Sequence, residues 1–198
     1  MIRILTFAAA CLTAMPLGAE PVNITRDMMS VTVPLAGGET VEVSRIQDNA
    51  HRLEGDWDLT SRPCPSFCIQ PMVPAEGVTA IGELELLEML QDPNTVVADG
   101  RVRREYEAGT IPGAISIPYT EAADRLDVLG CEIDFEGFDC SVEGLKDVAL
   151  FCNGPWCGQS PAAARRMIEA GFPADKIYYY RGGMQMWQLF GLTVVQGH

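Results

Sequence analysis

Polar and apolar residues alternate on both sides of Gly37-Gly38 in VTVPLAGGETVEVSRI (31–46). That two-residue period predicts a half-buried β-hairpin. The stretch that follows, 47–77, is rich in Pro, Gly and Asp, shows no period, and reads as a loop stapled somewhere by cysteine. The texture changes near Val78. GELELLEML (82–90) places Leu84, Leu87 and Leu90 at helical spacing and is stopped by Asp92-Pro93. TVVAD (95–99) is a β-branched run that predicts a buried strand, RREYEAG (103–109) a turn or two of helix, GAISIP (113–118) a second strand, and 119–129 a helix. KDVALFC (146–152) is the most apolar strand candidate. SPAAARRMIEAG (160–171) predicts a helix with Ser160 as N-cap, Pro161 at its first position and Gly171 just past its end. KIYYY (176–180) reads as a strand and GMQMWQLFG (183–191) as a closing short helix. No internal repeat is visible.

Short buried strands alternating with helices predict an α/β fold, a mainly parallel sheet flanked by helices on both faces. A small irregular unit containing the hairpin precedes it. The expected division is a leader at 1–19, a small N-terminal unit at 20–77 and the α/β domain at 78–198. Such sheets gather reactive groups at the carboxyl ends of their strands, and Cys152 ends one of them.

Composition changes this picture in three ways. The 198 residues are 47% hydrophobic and 21% charged, the balance of a soluble globular chain. The segment 1–19, MIRILTFAAACLTAMPLGA, combines an early Arg3, a short apolar stretch and a small-residue end at Gly18-Ala19. That is the pattern of a secretory signal cleaved after Ala19, and it predicts a periplasmic or secreted protein. A lipid-modified Cys11 is the alternative, but Ala8 stands where such signals carry a Leu-like residue. No apolar run is long enough to span a bilayer. The net charge is −13, and loss of Arg3 with the leader makes it one unit more negative. So acidic a surface repels nucleic acid and anionic lipid.

Cysteine is the third. Of the seven cysteines, Cys11 belongs to the leader and six remain, in three local pairs: CPSFC (64–68), CEIDFEGFDC (131–140) and CNGPWC (152–157). An even number in an exported chain predicts disulfides, whose pairing the sequence leaves open. CPSFC reads as a staple, a redox pair, or two soft copper ligands with Met72, and disulfide bonding is the default. With only His51 and His198 available, zinc is not expected. Glu132, Asp134, Glu136 and Asp139 lack the spacing of a calcium loop, so a solvated, disulfide-closed acidic loop is expected instead. No metal and no cofactor is expected.

Four segments in order resemble the rhodanese domain, the sulfurtransferase family. VVADGRVRREYEAGTIPGAISIP (96–118) is similar to its first signature, with Asp99 and Arg101 in the aspartate-x-arginine positions. ALFCNG (149–154) supplies strand and cysteine, QSPAAARRMIEAGF (159–172) the helix behind them, and YRGGMQMWQLFG (180–191) the closing Gly-Gly with Trp187. The resemblance implies an active loop carrying sulfur on Cys152, a small sulfur donor, and a thiol or protein acceptor. Two departures stand out. Thr110 replaces the usual histidine. The active loop is longer than the common pattern, has Gln159 in the place of an arginine before Ser160, and adds Cys157. The loop CNGPWCGQSP is similar to that of an exported bacterial subfamily.

A cysteine between a strand end and a helix N-terminus is placed to be a thiolate, because loop N–H groups and the helix dipole lower its pKa. Gly154 and Gly158 let the backbone curl into an anion cradle, while Asn153, Trp156, Gln159 and Ser160 line it. No Lys, Arg or His lies between Cys152 and Ser160. Cationic help for a charged donor would therefore come from Arg101 or Arg181, and the missing loop arginine argues against a phosphatase. Cys157 leaves three readings: sulfur transfer through Cys152, thiol–disulfide exchange by Cys152 and Cys157, or a locked loop in a non-catalytic binding module. In the last, the N-terminal unit, or Phe135 and Phe138, would bind a protein partner.

Overall fold

The computed structural model describes residues 20–133, 135 and 137–198. The leader, with Cys11, and the carboxylates of Asp134 and Glu136 lie outside the described residues. Strands β1 (Ser30–Pro34) and β2 (Thr40–Ser44) form the expected antiparallel hairpin, pairing Val31 with Val43 and Val33 with Val41. The main sheet holds β3 (Thr79–Ile81), β4 (Thr95–Asp99), β5 (Ile115–Ser116), β8 (Asp147–Phe151) and β9 (Ile177–Tyr180) in the order β3-β9-β8-β4-β5. Every neighbouring pair in it is parallel. A separate antiparallel pair, β6 (Glu132–Ile133) and β7 (Phe138–Asp139), forms within the acidic loop, which the Cys131–Cys140 disulfide closes.

The period of two decides which helix meets which side chain. Val148, Leu150, Ile177 and Tyr179 point to one face, where Ala163, Ala164 and Met167 of α3 (Gln159–Glu169) pack with Leu126 and Leu129. Ala149, Phe151 and Tyr180 point to the other, against Leu86 and Leu87 of α1 (Glu83–Met89) and Met184 and Trp187 of α4 (Gly183–Leu189). Val31, Val33 and Val43 of the hairpin join that second core. The hairpin is also tied to the C-terminal segment, where Ile46 N donates to Gly191 O at 2.7 Å and Thr193 N to Ser44 O at 3.1 Å. Among the described residues, no helix is long and apolar enough to cross a membrane.

Several elements differ from the sequence expectation. β3 was not expected; it is three residues of edge strand, too short to show a period. The helix expected over 119–129 is two 3-10 turns, Ala122–Asp124 and Leu126–Leu129, ended by Gly130 at φ +95°. In α1 the buried face is Leu86, Leu87 and Leu90, while Leu84 is exposed. Ser160 is not an N-cap: α3 starts at Gln159 with Gly158 as its cap, which moves Ser160 and Pro161 into the first turn. Gly171 does follow the helix end, at φ +97°.

The carboxyl ends of β4 and β8 are knotted by one buried ion pair. Asp99 is fully buried and Arg101 nearly so, and Arg101 Nη2 lies 2.6 Å from Asp99 Oδ2. Asp99 also accepts from Arg101 N at 3.0 Å and from Thr110 Oγ1 at 2.8 Å, so its oxygens are fully engaged. Thr110, in the place of the family's usual histidine, thus supports the aspartate. Removing one partner of a buried pair strands the other charge, and Asp99→Ala is expected to cost about 3–5 kcal/mol in a chemical denaturation series.

A second expectation concerns alkaline pH. Burial pushes the Tyr179 hydroxyl from 10.0 up to about 12, opposed by the nearby Arg181 charge. Burial, then the Glu83 carboxylate, raise Tyr180 in the same direction. The unfolded chain therefore releases these protons first, so stability is full below pH 10 and falls as pH rises from there through about 12. Tyr179→Phe should flatten part of that limb in pH-dependent unfolding.

Candidate functional site

Cys152 follows the last residue of β8, and its position is set by backbone contacts from across the sheet. Met184 N donates to Cys152 O at 2.9 Å and Gln185 N to Asn153 O at 3.0 Å, so the start of α4 clamps the start of the loop. Gly183 makes this approach with φ +57°; a Cβ there would run into the Cys152 carbonyl and reach Gly154 N at 2.8 Å. Only glycine fits, for both backbone and steric reasons. The loop then turns back on itself, Cys157 N donating to Gly154 O at 2.9 Å, and enters α3 at Gly158.

That turn brings Cys152 and Cys157 to a Cα separation of 6.3 Å and their sulfurs to disulfide distance. Cys152 Sγ lies 3.3 Å from the Cys157 carbonyl oxygen, and Cys157 Sγ 3.6 Å from Gln159 Oε1. Cys152 is 2% exposed and Cys157 5%. Ser160 Oγ is buried beside Gly100, at whose position a Cβ would lie 2.8 Å from it, and makes no protein hydrogen bond.

Asn153 is the joint between this loop and the ion pair below it. Its Oδ1 accepts from Arg101 Nη1 at 3.3 Å and its Nδ2 donates to Glu105 Oε2 at 3.2 Å. Glu105 stands in α2 (Arg103–Ala108). Arg101 Nη2 also donates to Gly109 O at 2.6 Å. Arg101 thus reaches the site, with its charge already met by Asp99.

Arg181 is used differently. Its guanidinium donates to Gln70 O at 3.0 and 3.3 Å, anchoring a segment of the N-terminal unit. That segment lies over the active loop. Gln70 N donates to Pro155 O at 2.8 Å, the Phe67 ring lies 4.9 Å from the Trp156 ring, and the Arg62 guanidinium sits 4.4 Å over Trp156. Gln70 also faces Gly158, where a Cβ would lie 3.7 Å from its amide. Trp156 Nε1 donates to Gln185 Oε1 at 2.7 Å, and Gln185 Nε2 to Trp57 O at 3.3 Å. The Cys64–Cys68 disulfide closes the turn that presents Phe67.

Beside the loop opens a cleft of about 340 Å³, reached by Asn153, Trp156 and Arg101 from the α/β domain and by Asp56, Trp57, Arg62 and Phe67 from the N-terminal unit. Sequence reasoning missed Arg62, Phe67, Gln70 and Trp57. Only the aromatic residue inside CPSFC and the cation just before it could have marked that segment as more than a stapled loop. Of the expected lining residues, Asn153 and Trp156 border the cleft, Gly154 and Gly158 shape the turn, and Gln159 and Ser160 sit behind it in α3.

Residues 83–189 match the family described as Rhodanese-like domain. Over 118 residues the chain is 35% identical to the HTH-type transcriptional regulator Rv0324 of Mycobacterium tuberculosis, a match covering 60% of this chain and 45% of that protein. The chain thus spans less than half the length of that relative. Among solved structures, it is similar to a rhodanese-related protein of Thermoplasma volcanium at 26% identity and a TM-score of 0.43, covering 60% of this chain and 98% of that one. A full-length protein of Lactobacillus plantarum matches at 21% identity and a TM-score of 0.45, covering 59% and 87%. The family match takes in β4, the cysteine loop, α3 and the Gly-Gly turn, and this chain belongs to the Rhodanese-like domain family.

Proposed function

We propose that this chain is an exported sulfurtransferase that carries sulfane sulfur as a persulfide on Cys152. The observation that carries the reading is the place of Cys152 in a rhodanese-like domain, in the loop between the end of β8 and the start of α3. The positive end of that helix favours the thiolate. The thiolate attacks the outer sulfur of a donor R–S–SH, the donor's S–S bond breaks, and RS⁻ leaves. An acceptor thiolate then attacks the outer sulfur of the Cys152 persulfide, which regenerates the Cys152 thiolate and yields the acceptor persulfide. Arg101 is already neutralised by Asp99, so around the cleft the Arg62 charge stands against the Asp56 and Glu105 carboxylates and the balance is negative. That balance favours an organic persulfide over a dianion such as thiosulfate.

Cys157 adds a branch. Its thiolate attacks Cys152 Sγ of the persulfide, HS⁻ leaves, and the Cys152–Cys157 disulfide forms. The closeness of the two sulfurs also favours a second reading, thiol–disulfide exchange with a protein partner. The leader supports action in the periplasm or outside the cell. The mycobacterial relative's name speaks of transcription, but the acidity of this chain argues against extending DNA binding to it.

Peptide mass spectrometry of the mature chain, reduced and then given an organic persulfide, should place one added sulfur on Cys152. Cys152→Ala should lower sulfur transfer roughly a thousandfold or more. Cys157→Ser should keep the transfer and prolong the persulfide, since the HS⁻-releasing branch is gone. Loss of all activity in Cys157→Ser, with the parent chain reducing partner disulfides, would favour exchange. A reduced chain that takes up no sulfur and exchanges no disulfide is a binding module.

A further inference from the structure

The three disulfides differ in what surrounds them. Cys131 and Cys140 are buried within the core that packs on α3, and their bond braces a hairpin. Cys64–Cys68 belongs to neither core; Cys64 is exposed and Cys68 half-buried. With a separation of four residues it closes the shortest loop of the three, so it has the least chain entropy to remove. What distinguishes it is its neighbour. Phe67 and Trp156 are in ring contact, and the next residue along the chain from each is a cysteine, Cys68 and Cys157. The Gln70 N to Pro155 O bond fastens the same two loops on their other flank. Cys152 and Cys157, by contrast, are both buried, at 2% and 5% exposure.

We propose that Cys64–Cys68 is a second redox-active site, which takes electrons from an external dithiol and passes them to the Cys152–Cys157 disulfide. The proposal rests on the reading of Cys152 as a working thiol. A thiolate of the external dithiol attacks Cys64, the exposed sulfur, and Cys68 leaves as thiolate. The donor's second thiolate then displaces Cys64 and closes the donor disulfide. Cys68 attacks Cys157 Sγ, the Cys152–Cys157 bond breaks, and Cys152 leaves as thiolate. Cys64 attacks Cys68 in the resulting mixed disulfide, re-forming Cys64–Cys68 and freeing Cys157. One dithiol is oxidised, and two electrons and two protons arrive at Cys152 and Cys157.

Two experiments test this on the mature full chain. The Cys64→Ser/Cys152→Ser variant keeps Cys68 and Cys157, and mild oxidation should join them within one chain as a cross-linked peptide pair. Absence of that cross-link overturns the relay. In the Cys64→Ser/Cys68→Ser variant, reduction of Cys152–Cys157 by reduced thioredoxin should slow at least tenfold, while reduction by a small phosphine keeps its rate. Unchanged or faster reduction by thioredoxin overturns the proposal, the faster case marking Cys64–Cys68 as a latch on the covering segment. Equal slowing with both reductants overturns it too, because the variant has then only altered access. Persulfide loading is measured separately on phosphine-reduced protein, so failure of the relay and failure of sulfur transfer are told apart.

Discussion

The buried pair of Asp99 and Arg101 is the constraint on which the site depends. A carboxylate at a strand end and fully out of water is tolerated because Arg101, its backbone N–H and the Thr110 hydroxyl occupy its oxygens. Arg101 then has one nitrogen left to hold Asn153, the residue after Cys152. Strand β4, helix α2 and the cysteine loop are thereby locked in one register. A buried arginine so engaged is a positioning group rather than a free cation.

From the other side the loop is held by backbone alone. The Gly182-Gly183 turn lets α4 begin against the Cys152 carbonyl, and a side chain at Gly183 would push the cysteine off its strand end. The two clamps explain why a loop that is longer than the common pattern still folds back tightly enough to pair Cys152 with Cys157. The turn at Pro155 and Trp156 rests against Phe67 and Gln70.

Legibility in the sequence followed the range of the interactions. The sheet was readable because short β-branched or apolar runs report burial directly, as in Thr95–Asp99 and Asp147–Phe151. The place of Cys152 was readable because it ends the most apolar run. Ser160 was misread as a cap because the helix starts two residues earlier than the Ser-Pro signal, with Gly158 at its cap. The partner of Arg181 was not legible: its contact with Gln70 spans 111 positions, and nothing local announces it. For the same reason Arg62 and Phe67 escaped notice, since a loop without period gives no hint of the surface it covers.

Covering a thiol has opposite effects on its two kinds of chemistry. A sulfur carried on a thiol is shielded from stray nucleophiles by a cover, and here the Phe67 ring and the Arg62 guanidinium lie against Trp156 of the loop. The burial of Cys152 and Cys157 likewise keeps their sulfurs from a reductant as large as a protein. In an oxidising compartment a pair as close as Cys152 and Cys157 drifts to the disulfide, in which Cys152 has no thiolate to offer. A protected sulfur carrier in such surroundings therefore needs either a cover that opens or a path for electrons through it. A cysteine pair within the cover, with Cys64 exposed and Cys68 one residue from the ring that touches Trp156, would meet that need without opening the cleft.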